Sequence, residues 1–481
     1  MAPKRKAAVE AADKLKNSKK AKKTSIKPDF NEAPTQRLDV YVFGSGENGE
    51  LGLGSVKRNG KMPTNVSRPR LNDLLDAATV GVVQIAVGGM HCIVITEDNR
   101  LLTWGVNDDG ALGRDTTWTA PVKDAAGGDE SESDDDDDDD SGLNPVESTP
   151  TAIPADCFEG DPVWVQVAAT DSASFALTST GEVYGWGCFH GSDGPVGFSL
   201  QCQRDGILKQ KTPLKIPELK NITSLAAGGN HMLALDQTGN VWTWGDGSQY
   251  QLGRLVSEKY RDNSLRPAIQ TSLHRNSTTF ISAGAYHSIT IDTEGRVWAW
   301  GLNNYGQTGV IRNAGEDGAA IEKPAIVRSL RGQVIVDIEG GTHHSIACNE
   351  DGEVMSWGRC DDGQPGVGLE NLADSDVIED KILLYPRVID GINAVRVAAG
   401  IDNSFAIDSD GKVHAWGFSD NYRTGLGTEQ TVELATVIEN TAVKGKKLSF
   451  AACGGQFSVL AGPSDAVPKR RRGRKAKKTN E

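Results

Sequence analysis

Apolar residues fall in short runs in which β-branched and aromatic side chains alternate with small or polar ones. VVQIAVGG from Val82, HCIVITED from His91 and RLLTWG from Arg100 typify the pattern, each closed by Gly, Asp or Asn. Such runs predict short strands joined by tight turns. In Val241-Trp242-Thr243-Trp244 and Val297-Trp298-Ala299-Trp300 the period of two puts both tryptophans of each run on one sheet face. No stretch of the body sustains a helical period.

The runs recur in phase. Aromatic-Gly pairs stand at Phe43-Gly44, Trp104-Gly105, Trp186-Gly187, Trp244-Gly245, Trp300-Gly301, Trp357-Gly358 and Trp416-Gly417, at intervals of 61, 82, 58, 56, 57 and 59 residues. Thirteen residues before the six tryptophans stand His91, Ala173, His231, His287, His344 and Asn403. Three residues earlier come Gly88, Thr170, Gly228, Gly284, Gly341 and Gly400. A seventh copy, Gly454 with Phe457, has no tryptophan after it, and the missing aromatic is Phe43 at the other end of the chain. A cycle split in this way predicts an all-β, seven-bladed β-propeller closed by strands from both termini, which hides most strand edges. The predicted organisation is a basic tail over 1–36, a propeller over 37–462 with an acidic loop insertion at 119–161, and a second basic tail over 463–481.

Charge divides the chain of 481 residues in the same way. Residues 1–30 carry ten Lys/Arg against three Asp/Glu, and 463–481 carry eight against two. The body between them is acidic, and the 82-residue interval holds the unbroken run Asp134 to Asp140, read as a solvated loop. An acidic body with basic arms predicts two kinds of partner. The tails are poor in apolar residues and are expected to be disordered. KLKNSKKAKK from Lys14 and KRRRGRKAKK from Lys469 read as nuclear localisation or nucleic-acid patches, where clustered cations release the counterions of phosphates. Lys4, Arg5, Lys6, Lys19, Lys20, Lys22 and Lys23 are the candidate chromatin or DNA contacts, with Lys259 and Arg261 as a weaker pair in the body. No apolar run approaches the ~18 residues of a membrane helix. The lysine-rich opening does not read as a secretory signal. Seven scattered cysteines without a CxxC predict neither a zinc site nor a disulfide framework, so no metal and no cofactor is expected.

Three chemistries suggest themselves and are set aside. Gly44, Gly46 and Gly49 spell GxGxxG after a strand, but ELGLG follows where a dinucleotide site needs a helix. Histidines recurring in phase read as strand-to-loop stitches more readily than as a metal ring or catalytic bases. No HExxH and no Ser-His-Asp set stands out, so no catalytic residue is assigned. One departure from the repeat is informative. From each aromatic-Gly glycine the next loop glycine lies eight residues on, yet from Gly187 to Gly197 it lies ten on, with two extra residues in CFHGSDGPVG.

The aromatic-Gly pairs, the recurrent GGxH and the period near fifty-seven resemble the regulator of chromosome condensation family over roughly 38–462. A single propeller with a basic N-terminal tail is similar to the family's nuclear exchange factor for the small GTPase Ran. The resemblance implies a guanine nucleotide exchange factor without covalent chemistry, held on chromatin in the nucleus and serving nucleocytoplasmic transport and spindle organisation. It implies as partners Ran, the nucleosome (its 2A and 2B histones) with DNA, and a nuclear import receptor on the basic tail. A closed acidic ring favours a monomer, with no membrane partner. By the same match the two-residue excess belongs to a β-wedge pushed against the GTPase, comprising Phe189, His190, Gly191, Ser192, Asp193, Gly194, Pro195 and Val196. Further GTPase contacts implied are Glu47, Asp171, Arg254, Asn304, His344 and Arg359. Asn230, Gly306 and Phe457 depart from the family pattern, which keeps open a chromatin-binding propeller scaffold without exchange activity. A propeller enzyme working in the central channel is the other rival.

Overall fold

The computed structural model describes residues 30–57, 62–119, 142–256, 258–273, 277–368, 370, 372 and 377–466. The predicted seven-bladed propeller is what it contains, together with a separate two-stranded hairpin. Blade 1 is built from Val82–Val87, His91–Thr96, Leu101–Gly105 and Thr151–Ala152, each strand antiparallel to the next. Blade 2 uses Trp164–Ala169, Ala173–Thr178, Val183–Gly187 and Gln210–Lys215. Blades 3 to 6 begin at Ile222, Thr278, Ile335 and Ala394. Blade 5 gains a fifth short strand, Val377–Ile378, paired on Ile382–Ile389. Blade 7 joins the ends of the chain: Phe450–Cys453 and Phe457–Pro463 supply its first two strands, Leu38–Ser45 and Asn65–Leu71 the others. Leu38 faces Pro463 and the pairing runs on to Gly44 opposite Phe457.

The acidic insertion is narrower than the sequence suggests. Pro145–Ser148 is a helical turn capped by Asn144, and Thr151–Ala152 is the outer strand of blade 1. Both lie inside the 119–161 boundaries because a two-residue strand is too short to register as an alternating run. The run Asp134 to Asp140 lies outside the described residues.

The blades are locked by a hydrogen-bond motif that explains the repeat. Between blades 1 and 2, the Trp186 Nε1–H donates to the Ala111 carbonyl at 2.8 Å, and the Ser174 hydroxyl donates to the same carbonyl at 2.9 Å. His91 Nε2 lies 2.8 Å from Ser174 Oγ. Because the serine gives its only proton to the carbonyl, His91 must be the donor, which fixes a neutral ring protonated on Nε2. The motif returns as His231–Ser288, His287–Ser345 and His344–Ser404, each at 2.8 Å. Trp300 and Trp357 donate to the carbonyls of Gln251 and Gln307, which also accept from Ser288 and Ser345. The loop glycines make this approach possible. Gly113 has φ +66°, and a Cβ there would stand 2.7 Å from Trp186 Nε1.

Three seams deviate. Blade 6 offers Asn403, whose amide reaches Cys453 Sγ at 3.5 Å, while Ser458 still donates to the Arg423 carbonyl. Between blades 7 and 1, Phe457 and Cys92 replace histidine and serine together. Between blades 2 and 3 the places hold Ala173 and Met232. Both are fully buried in an apolar cluster with Phe175, Phe189, Phe198 and Trp244.

Antiparallel pairing also sorts the loops by face. The turn between first and second strands and the loop after the third strand open on one face of the ring. The chain enters and leaves blade 7 on the other face, at Leu38 and Pro463. There Phe30 and Asn31 are bound to the Ser179 carbonyl, and the Asn31 amide donates to Ile222 O at 2.8 Å.

The latch carries two testable consequences. Ser288→Ala strips His231 of its acceptor and should cost about 1–3 kcal/mol in urea unfolding. Burial pushes the four latch imidazoles down to about 4 (His91, His344) or about 3 (His231, His287). As pH falls below the ordinary histidine value near 6.5, the unfolded chain takes up these protons first, so stability is full above that pH and drops below it. Each latch histidine adds a slope of about 1.4 kcal/mol per pH unit. His287→Gln should flatten the dependence of stability on pH between 6 and 4 by about that amount.

Candidate functional site

The loop of blade 2 that departs from the repeat folds as the hairpin Phe189–Gly191 and Gly194–Gly197, with His190 opposite Pro195 and Gly191 opposite Gly194. Its tip, Ser192-Asp193, and Pro195 are exposed. Its roots are not: Phe189 is fully buried and Val196 nearly so. Phe189 stacks on Phe198 at 6.2 Å and on Phe175 at 6.0 Å, and Phe175 meets Trp244 edge-on at 5.8 Å. The hairpin thus stands on an aromatic footing where the neighbouring seams have the polar latch. Phe189 and Val196, expected at the contact surface, are the anchors of the wedge, because alternation along a short strand sends every second side chain inward.

Both flanks of the hairpin are held. The His190 amide donates to Asn230 Oδ1 of blade 3 at 2.8 Å, and the Asn230 amide nitrogen donates to Asp171 Oδ2 at 3.1 Å. On the other side His190 Nε2 lies 2.9 Å from Asp109 Oδ2 of blade 1, whose second oxygen is 3.0 Å from Lys209 Nζ. Asp171 opens to solvent at the mouth of the channel, yet protein walls surround it. Desolvation pushes its carboxyl up to about 6, against the Asn230 hydrogen bond, which lowers it.

The remaining sequence candidates divide into surface and interior. Glu47 is exposed, and Asn304 is half-buried, its Oδ1 accepting from the Gln307 amide. Arg359 reaches Asp361, Asp362 and Asp402 and sits 5.7 Å over the Tyr305 ring. His344 is not on the surface: it is a latch histidine, and the residue that faces the channel mouth is its neighbour His343, 4.9 Å from Tyr305 and 5.9 Å from Tyr286. Arg254 also turns inward, donating to the carbonyls of Thr243, Ser264 and Arg266, and burial lowers its pKa. Arg114, in the same place of blade 1, donates to Thr103 O and Val146 O. An arginine one residue past the loop glycine is therefore a strut of its own blade. Lys259 and Arg261 fall in the segment Glu258–Leu265, which ends beside Gly197 at the base of the wedge. Lys4, Arg5, Lys6, Lys19, Lys20, Lys22 and Lys23 lie outside the described residues.

Two groupings on this face were missed, although the sequence singles out Glu47, Asp171 and His190 one by one. One is the carboxylate belt: the third residue after the aromatic-Gly glycine is Glu47, Asp108, Asp361 or Asp420 in four blades, all exposed. Aligning the seven loops in phase would have found it. The other is the Asp109–His190–Asn230–Asp171 chain of contacts, which crosses three blades and leaves no local sequence signal.

A propeller with a period of this length, latched by histidine and tryptophan and bearing one hairpin on an acidic face, defines the class. The RCC1-like domain model matches residues 39–460, and the chain belongs to that family. Protein pim1 of Schizosaccharomyces pombe is 38% identical over 451 residues, covering 90% of this chain and 76% of its own length. Guanine nucleotide exchange factor SRM1 of Saccharomyces cerevisiae is 39% identical over 440 residues, covering 89% and 88%. Among solved structures, Prp20p of Saccharomyces cerevisiae, described with its binding properties to Gsp1p and histones, superimposes with a TM-score of 0.79 at 36% identity, over 90% of this chain and 93% of that one.

The site's architecture separates root from tip. Phe189→Ala should destabilise the chain by about 3–5 kcal/mol. Replacing Ser192 and Asp193 by glycine should cost under ~0.5 kcal/mol each, as at ordinary surface positions, with urea unfolding as the measurement. Asn230→Ala removes the acceptor of the His190 amide. Hydrogen exchange at that amide should accelerate by about tenfold or more, in line with the loss of one hydrogen bond worth ~1.4 kcal/mol.

Proposed function

We propose that this protein is a guanine nucleotide exchange factor for a Ran-type small GTPase, acting through the wedge face while its basic tails hold chromatin from the opposite face. The observation that carries the reading is the hairpin: an exposed two-residue tip on a rigid aromatic footing, on the face where Glu47, Asp108, Asp171 and Asp361 are also exposed. Such a tip displaces the phosphate-binding loop and magnesium site of a bound GTPase without deforming its own base. The carboxylates engage basic residues of the partner, and Asn304, His343 and Arg359 complete the contact. Arg254 and His344 serve the same surface from within, by fixing the loops.

No covalent step is required of any residue. Exchange follows from differential binding: a factor that prefers the nucleotide-free GTPase weakens nucleotide binding by the same ratio by which nucleotide weakens its own. Incoming GTP then releases the factor. The strand ends Leu38 and Pro463, next to the tails of ten and eight cationic residues in the sequence, lie on the face opposite the wedge, which supports simultaneous engagement of nucleosome and GTPase. A nuclear location, recognition of a tail by an import receptor, and service to nucleocytoplasmic transport and spindle organisation follow from the same reading. The departure at Phe457 weighs little against it, because Phe457 and Cys92 change together as a seam.

Release of a fluorescent GDP analogue from Ran tests the proposal. Intact protein should accelerate release, and replacing Ser192-Asp193 by two glycines, with Phe189 and Val196 retained, should reduce the acceleration at least about tenfold, some 1.4 kcal/mol of coupling. Full acceleration in that variant would move the mechanism to other loops. No acceleration by intact protein that still binds nucleosomes would establish the scaffold reading.

A further inference from the structure

We propose that Asp109, Cys188 and His190 form a binding site for one zinc-class divalent ion at the root of the wedge. A carboxylate oxygen of Asp109, the Cys188 sulfur and a ring nitrogen of His190 all lie within 4.8 Å of one another. Tetrahedral zinc holds nitrogen and oxygen ligands at about 2.0–2.2 Å and sulfur at about 2.3 Å, which sets its ligand atoms roughly 3.3–3.6 Å apart. His190 Nε2 and Asp109 Oδ2, now at 2.9 Å, need part by only about half an ångström to admit the ion. One thiolate, one imidazole and one carboxylate form a mixed donor set suited to zinc and its neighbours in the transition series, and unsuited to magnesium or calcium, which favour all-oxygen shells.

The three backbones are already fixed. The Cys188 amide is bonded to Ser172 O at 3.0 Å, the His190 amide to Asn230, and the turn after Asp109 is closed by Gly110 N to Asn107 O at 2.9 Å. Ligands held in place in this way keep the ordering cost of binding small. Cys188 is buried, whereas the side chains of Asp109 and His190 are 18% and 31% exposed, so the ion enters from the wedge face and a water completes the fourth position. The Cys188 thiol, which now donates to Phe189 O, loses its proton to solvent; the imidazole binds neutral and the carboxylate ionised, so one proton leaves per ion bound.

Lys209 supplies the feature that distinguishes this site from a chance grouping. Its ammonium is 3.0 Å from Asp109 Oδ1 and occupies the carboxylate as a resident cation. It also donates to the Asp108 carbonyl at 3.0 Å, but the side chain is 40% exposed and can exchange both contacts for water. Lys209 is therefore a built-in competitor, and its removal should strengthen metal binding.

The test uses the full chain, reduced with a phosphine and stripped of metal, titrated with cobalt(II) as the spectroscopic probe and with zinc against a chromogenic indicator. One equivalent should bind with a thiolate-to-cobalt charge-transfer band in the near ultraviolet. Cys188→Ser should abolish the band, and His190→Gln and Asp109→Asn should each weaken zinc binding about tenfold or more. Lys209→Met should tighten it several-fold, a gain that misfolding does not produce. Absence of the band, its survival in Cys188→Ser with the ion on one of the other six cysteines, or unchanged affinity in Lys209→Met would each overturn the assignment.

Discussion

The ring depends on a shared acceptor. A single loop carbonyl of one blade takes an indole N–H and a serine O–H from the next, and the serine in turn accepts from a histidine of the first blade. A carbonyl has two lone pairs, so both donors are satisfied at one atom, and the latch leaves only the Nδ1 atoms of His231, His287 and His344 buried without a partner. Seen this way, histidine and serine form a pair across the seam, and at two of the three deviating seams they change together while the tryptophan stays. Where Phe457 replaces histidine, Cys92 replaces serine; where Ala173 stands, Met232 follows.

That last seam is also where the wedge rises. The extra residues of the blade 2 loop carry its glycine away from the indole: Gly197 packs near Leu265, not against Trp244. Without the loop carbonyl in place the polar partners would be buried unpaired, at a cost of about 1–3 kcal/mol each, and apolar side chains remove the problem. Phe175, Phe189 and Phe198 then turn the lost latch into the footing of the hairpin. The hairpin loop and its unusual seam go together, seen once as an insertion and once as a pair of substitutions.

The repeat made the fold legible. Blade count and the joint closing blade follow from the spacing of aromatic-Gly pairs and from the missing aromatic at the C-terminal end. The wedge was legible as arithmetic. Side-chain direction at the ends of strands was less so: His343 and His344 differ by one position, and only the fold tells which enters the seam and which faces the channel. Arg254 was misplaced for a similar reason, since a long cation beside a surface loop can fold back onto carbonyls of its own blade. The bridge from Asp109 through His190 and Asn230 to Asp171 joins residues 109 to 230 across three blades, a relation with no period and no motif.

The divided blade sets a timetable for synthesis. The strand Leu38–Ser45, buried along nearly its whole length in the finished ring, leaves the ribosome more than 400 residues before its partner Phe457–Pro463 exists. At roughly 5–20 residues per second, one of its edges can soon pair with Asn65–Leu71, while the other waits some 20–80 s for its partner. LDVYVFGS is an apolar, β-prone segment without charge beyond Asp39, and an open edge of that kind pairs readily with a neighbouring chain. During that interval the nascent chain is a client for holding chaperones, and the last strand to emerge decides whether the first has found the right partner.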